Sequence, residues 1–116
     1  MNTRSRKNKG KRLQNKVRDL LLETFQNELE QDDIKSTTMG ESGEDVQLSP
    51  AARKLIPYAI ECKNQESLSI WKCLEQAESN SNGYEPLLVF KRNRSETYVT
   101  MNIKEFLRLL CESKNS

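Results

Sequence analysis

Histidine is absent from this sequence of 116 residues. That removes Ser-His and Cys-His nucleophile pairs, His-based nuclease motifs and every His-ligated metal site. Cysteine is sparse: Cys62, Cys73 and Cys111 are odd in number, widely spaced and form no Cys-x-x-Cys pair. Neither a zinc site nor a disulfide framework is suggested, and reduced thiols in a cytoplasm fit best. Long apolar runs are missing as well. None approaches the length that spans a bilayer, and no apolar stretch follows the basic start, so no membrane role is expected. Any catalysis is left to carboxylates, lysine, hydroxyls and a hard metal ion. A chain of this length makes one domain around one core, without a second module. Hydrophobic residues at 34% suffice for that core.

What the sequence does have is segregated charge. The net +2 conceals a first block, residues 1–18, with eight Lys or Arg and no acid. Residues 19–45 then carry nine acids and Lys35 as the one base. The first block would seek phosphate, and Arg4, Arg6, Lys7, Lys9, Lys11 and Arg12 are its candidate contacts. The second would repel phosphate unless a cation intervenes.

Residues 1–9 lack apolar anchors and read as a flexible basic arm ahead of a domain at 10–116. From about Lys11 the spacing of Leu13, Val17, Leu20, Leu21 and Phe25 predicts a helix. Asn27 and Glu30 have capping-box spacing, predicting a short helical turn to Asp33. Residues 34–39 are a candidate strand, and Gly40 and Gly43 in "GESGED" mark a tight turn. Val46 and Leu48 alternate with polar neighbours, as in a strand. Ser49-Pro50 reads as a helix N-cap with proline at the first position, giving a turn over 50–54. A strand over Leu55 to Lys63 follows, then a helix over 67–79 with Leu68, Trp71, Leu74 and Ala77 inward. "PLLVFKR" and "TYVTM" flank Asn93-Arg94-Ser95-Glu96 as a hairpin. Asn102 caps a last helix whose Ile103, Phe106, Leu107 and Leu110 are expected to be buried. The order predicts a single α/β domain: a small mixed sheet with helices on its faces.

The stretch "YAIECKN" carries the chemistry. Side chains alternate along a strand, so Glu61 and Lys63 share one face while Ile60 and Cys62 enter the core from the other. An acid-x-Lys triplet alone means little, since the chain has three: at Asp33, Glu61 and Glu112. Such a pair on a wet sheet face is an ordinary ion pair worth about 0–1 kcal/mol. Glu61 differs in context. It ends an apolar strand, and a preceding strand opens on another acid, Asp45. Two carboxylates on neighbouring strands can share a divalent ion, and hard oxygen ligands suit Mg²⁺. A lysine beside them can orient water or stabilise charge developing on a phosphate.

"GESGEDVQLS" followed by "YAIECKN" resembles the PD-(D/E)xK nuclease superfamily, in which an Asp opens one strand and Glu-x-Lys closes the next. Within it the chain is similar to small Holliday-junction-resolvase-like nucleases and phage-encoded endonucleases, over roughly residues 10–101. The resemblance implies a restriction-endonuclease-like core and DNA hydrolysis dependent on Mg²⁺, with Mn²⁺ able to substitute. It implies Asp45 and Glu61 as metal ligands, the Cys62 backbone carbonyl as a further ligand and Lys63 as the catalytic lysine. It also implies work in bacterial or phage-infected cytoplasm, in replication or recombination.

Two positions depart from the pattern. Glu44 precedes the Asp where proline is usual. Gln14 in "KGKRLQNK" stands where resolvases of this kind place a glutamate. Its amide could orient a metal-bound water but supplies no charge, which disfavours a second metal; Glu41 is the alternative source of that charge.

Other residues complete the expected surface. Gln76 is the candidate that the helix after Glu-x-Lys turns toward the site, with Lys72 four residues earlier on the same face. Arg53 and Lys54, between the motif strands, would flank the scissile phosphate. Lys91, Arg92 and Arg94 cluster at the hairpin tip as phosphate grippers, though such charges also guard sheet edges. One domain holds one site, so cutting both strands implies a homodimer. Specificity would then come from DNA structure, dimer geometry or a protein partner. Branched or junction DNA is the expected substrate. A homing-type or site-specific endonuclease is the enzymatic alternative, and a non-catalytic nucleic-acid-binding protein with the same fold is the rival of another class.

Overall fold

The apolar positions beginning at Leu13 organise the first element. In the computed structural model, which describes residues 3–37 and 43–115, helix α1 runs Thr3–Thr24 and buries Leu13 and Val17. The helix reaches back through most of the stretch read as a flexible arm, which corrects that reading. Lys and Arg are good helix formers, and the anchored turns at Leu13 propagate backward through residues 3–9 despite Gly10, which costs about 1 kcal/mol relative to Ala. After α1 a 3-10 turn spans Gln31–Asp33, with a capping box between Glu30 and Asp33. The box is thus formed one turn later than the Asn27–Glu30 spacing suggests, because Asp33 reaches back to the Glu30 N–H at 2.7 Å.

Two short strands follow, β1 (Ile34–Ser36) and β2 (Val46–Leu48), antiparallel with Ile34 opposite Leu48 and Ser36 opposite Val46. The expected strand over 34–39 is therefore shorter, its last two positions lying outside the described residues, as does Gly40. Helix α2 (Pro50–Leu55) begins as its sequence demands: Ser49 Oγ accepts from the Ala52 N–H at 3.1 Å, and Pro50 occupies the first turn. α2 consumes Leu55, so β3 starts after Pro57 and runs Tyr58–Asn64.

β3 is joined to β4 (Glu85–Lys91) in parallel, with α3 (Ile70–Ser79) as the crossover that parallel strands require. β5 (Tyr98–Thr100) returns antiparallel to β4, forming the expected hairpin around a turn at 92–95. α4 (Ile103–Asn115) closes the chain, its start capped by Asn102 Oδ1 accepting from the Lys104 N–H at 2.8 Å. The result is the expected single α/β domain. No helix among the described residues is long and apolar enough to cross a membrane.

The core lies on both faces of β3. Ile60, Cys62 and Val89 pack with Leu13 and Val17 of α1, while Ala59, Leu88, Cys73 and Ala77 are buried as well. α3 therefore turns Cys73 and Ala77 inward, not Trp71, which is 76% exposed. The reason is register: the helix begins at Ile70, and Cys73 and Ala77, four apart, define its inner face.

α4 departs furthest from expectation. Ile103, Phe106, Leu107 and Leu110, expected inside, are all at least half exposed. The helix instead turns a polar side to the body: Glu105 Oε1 accepts from the Tyr58 O–H at 2.9 Å and is ion-paired with Arg108. Its apolar stripe faces outward, and Tyr98 and Val99 of β5 are exposed as well. A helix of 13 residues gains little from propensity alone, so a covering partner would matter to it.

The Ser49 cap is the fold's most testable local device. Its hydroxyl also donates to Asp33 Oδ1 at 2.6 Å, and this bond is the main reason the Asp33 carboxyl sits below its usual range. Ser49→Ala should cost about 0.5–2 kcal/mol by urea denaturation. It should also return the Asp33 carboxyl toward its ordinary range by carboxyl-carbon NMR; an unshifted Asp33 would refute this link.

Candidate active site

Gly43 sets the entry to the site. Its φ of +101° is one that L side chains rarely adopt, and it swings the chain toward the body just ahead of Asp45. Asp45 is then fixed twice to β3. Its N–H donates to the Ile60 carbonyl at 2.9 Å, and its Oδ2 accepts from the Cys62 N–H at 2.7 Å. Asp45, just ahead of β2, thus satisfies two backbone groups on the free edge of β3. From the other side Thr37 secures this segment: its N–H donates to the Asp45 carbonyl at 2.9 Å, and its hydroxyl to the Glu44 carbonyl at 2.6 Å.

Glu61 projects from the middle of β3 onto the α3 face and is 3% exposed. The wet sheet face anticipated for a bland ion pair does not exist, because α3 covers it. Asn80, at the C-cap of α3, donates from Nδ2 to Glu61 Oε1 at 2.9 Å. Burial first, then the charge of Asp45, push the Glu61 carboxyl up to about 7, the Asn80 bond opposing them. Asp45 is also raised, chiefly by burial. The two carboxyls hydrogen-bond each other, so a proton on Glu61 is shared with Asp45. Lys63 is near enough to both to favour their charged forms.

Two buried acids held against each other, with a lysine alongside, fit a hard divalent cation. Among the described residues no group of three or more His, Cys, Asp or Glu side chains forms. The protein's side-chain contribution would therefore be Asp45 and Glu61. In a strand the N–H and C=O of one residue point to the same edge, so the Cys62 carbonyl faces the Asp45 side too. The Cys62 thiol itself is raised by burial and by both acids, which keeps it a neutral core group.

The remaining expected site residues are placed as follows. Gln14 is buried and accepts from Ser36 Oγ at 3.0 Å, which ties its amide to β1. Gln76 is exposed. The side chain that reaches Glu61 is Asn80, one helical turn beyond it. Asn80 sits in "SNSNG", where sequence reading registers only a helix stop; the available clue is that the C-cap of a crossover helix also falls near the sheet. Lys11 Nζ donates to the Thr37 carbonyl at 3.0 Å. Arg53 is committed to the fold: its guanidinium is ion-paired with Glu44, donates to the Tyr58 carbonyl at 2.6 Å and stacks on Tyr84 at 4.1 Å. Glu44, standing in place of the usual proline, is thus a structural partner. Lys54, Lys72, Arg92 and Arg94 are exposed and Lys91 half-buried; Arg4, Arg6, Lys7 and Arg12 are exposed along α1, whereas Lys9 is buried. Glu41 lies outside the described residues.

An Asp before one strand and Glu-x-Lys on the next, joined at the sheet edge, define a domain of the PD-(D/E)xK nuclease superfamily. The comparisons agree. A family model described as "Phage putative PDDEXK endonuclease" matches residues 5–115, and the chain belongs to that family. No curated protein and no solved structure matches it.

The shared proton gives a pH signature. Glu61 is raised above its ordinary value of 4.5, so its contribution to stability is complete below that range and lost as pH rises through about 7. Metal-free protein should therefore lose stability from pH 5 to pH 8, and Glu61→Gln should flatten that slope in thermal melts. Asp45→Asn should lower the Glu61 value and Asn80→Ala should raise it, read by carboxyl-carbon NMR. A Glu61 titrating at an ordinary carboxylate value in the metal-free protein would overturn the shared-proton description.

Proposed function

We propose that this chain is a Mg²⁺-dependent DNA endonuclease that hydrolyses phosphodiester bonds in branched or junction DNA, with Mn²⁺ able to substitute. The observation that carries the reading is the buried Asp45–Glu61 pair with Lys63 beside it. Binding alone does not need two buried acids facing phosphate, which weighs against a purely non-catalytic role. Asp45, Glu61 and the Cys62 carbonyl would hold the ion. When bound, it supplies Lewis acidity toward the phosphate and a more acidic water. The chain's own residues do the rest. Asn80 fixes the Glu61 carboxylate, the Cys62 N–H fixes Asp45, and the Lys63 ammonium stabilises negative charge developing on the phosphate. Gln14 leaves the site without a third carboxylate at that position, which favours one metal ion.

The family supports nuclease activity in general. Junction preference follows from the domain itself: its described elements build the catalytic core, so DNA shape, dimer geometry or a protein partner would supply selectivity. The homodimer rests on one site per chain and on the outward stripe of α4. Ile103, Phe106, Leu107 and Leu110 are symmetric about their midpoint, so two antiparallel copies would set Ile103 against Leu110 and Phe106 against Leu107, as a two-fold interface requires.

Incubation with linear, single-stranded, flap and four-way-junction DNA, with and without Mg²⁺ or Mn²⁺, tests activity and substrate together. Cleavage confined to one linear sequence would favour a site-specific enzyme, and none on any substrate would favour the non-catalytic binder. Asp45→Asn and Glu61→Gln should each lower cleavage by at least about 100-fold while preserving or strengthening metal-free DNA binding. Lys63→Ala should also stop cleavage but weaken binding. Retention of full metal-dependent cleavage by either acid variant would end the proposal. For assembly, light scattering should give a dimer for the native chain and a monomer for Phe106→Glu; a monomeric native chain that still makes paired cuts would count against the dimer.

A further inference from the structure

A cavity of about 410 Å³ opens beyond the Glu-x-Lys motif, where the start of α1 passes the end of β3. Its walls are Arg6, Lys9, Asn64, Gln65, Glu66 and Ser67. Three observations fit this cavity to an anion. Lys9 is only 8% exposed, yet it makes no hydrogen bond or ion pair among the described residues. Its stem is therefore buried while the ammonium reaches the open cavity that it lines, where an anion would meet it. Arg6 lies three residues earlier, on the same helix face, and adds a second cation to the same wall. Asn64 buries its Oδ1 and leaves Nδ2 open without a hydrogen-bond partner among the described residues, so its amide offers a donor to the cavity that it lines. The wall's one acid, Glu66, is occupied elsewhere: its Oε2 accepts from the Asn93 N–H at 2.6 Å.

We propose that this cavity seats a backbone phosphate of the DNA strand, neighbouring the one to be cut, held by Lys9, Arg6 and the Asn64 amide. Asn64 directly follows Lys63 on β3 and lies three positions beyond Glu61, about 10 Å along an extended strand. The strand of DNA would thus be gripped on one side of the scissile bond. The inference rests on the DNA reading given above, but its measurement is separable, because binding without metal is read apart from cleavage.

Lys9→Met is the decisive variant, since methionine keeps the buried stem and removes the charge. Metal-free affinity for a four-way junction should fall about tenfold, and the salt dependence of binding should flatten by about one counterion. The free protein should melt as the native chain does, because the buried stem is kept and the ammonium stands in open space. A substrate with an uncharged methylphosphonate at the phosphate next to the cut should show the same loss with native protein and no further loss with Lys9→Met. Should Lys9→Met fold poorly, Arg6→Gln, on an exposed side chain, carries the same binding comparison. Unchanged affinity and salt slope in both variants, or equal losses on native and methylphosphonate DNA, would overturn the site. If native protein binds through this cavity but cuts nothing, the catalytic reading fails and the phosphate site stands.

Discussion

The structure turns on the double attachment of Asp45 to β3. The β1–β2 pair and the three-stranded β3–β4–β5 sheet are separate ladders. They meet where the Asp45 N–H bonds the Ile60 carbonyl and its carboxylate receives the Cys62 N–H. The same side chain that closes the sheet edge is thereby held against Glu61. Structural and chemical demands coincide at one residue: a carboxylate short enough to stay rigid, charged enough to draw a cation, and bonded to backbone that cannot drift. An asparagine could keep part of this attachment, yet not the repulsion that leaves the pair in want of a positive charge.

Local chemistry was legible in the sequence wherever one residue decides one bond. Ser49-Pro50 announces α2, and the alternation in "YAIECKN" announces β3 and which of its side chains share a face. The pairing of Asp45 with Glu61 came from motif resemblance, and the geometry supplies its physical reason. What could not be read depends on objects the sequence does not locate. Glu61 is buried because α3 lies over it, and no pattern inside β3 states that. Asn80 reaches Glu61 only once the crossover has been closed, so its role is tertiary. Trp71 misled because an apolar side chain on an apolar-looking face is inward only if the helix begins where the periodicity suggests.

α4 illustrates the limit from the opposite direction. Its periodicity reads correctly as an amphipathic helix, but amphipathicity reports that a face wants covering, not what covers it. Within one chain Tyr58 and Glu105 orient the helix by its polar side, and the stripe of Ile103, Phe106, Leu107 and Leu110 is left outward. The fold is therefore locally consistent and incomplete at the same time. The wanting surface is concentrated at the chain's last helix and the neighbouring edge strand, far along the sequence from the motif residues.

Arg53 has a mechanical consequence. One guanidinium fastens Glu44 ahead of β2, the Tyr58 carbonyl at the start of β3 and the Tyr84 ring just before β4. The beginnings of three strands are thereby riveted together. At the far end of the same parallel pair the ties are separate hydrogen bonds: the Gln65 N–H donates to the Lys91 carbonyl at 3.1 Å, and Glu66 Oε2 accepts from the Asn93 N–H at 2.6 Å. One charged side chain thus sets the spacing of three strand starts at once, so its loss would release all three together, whereas the bonds at the other end can break one at a time.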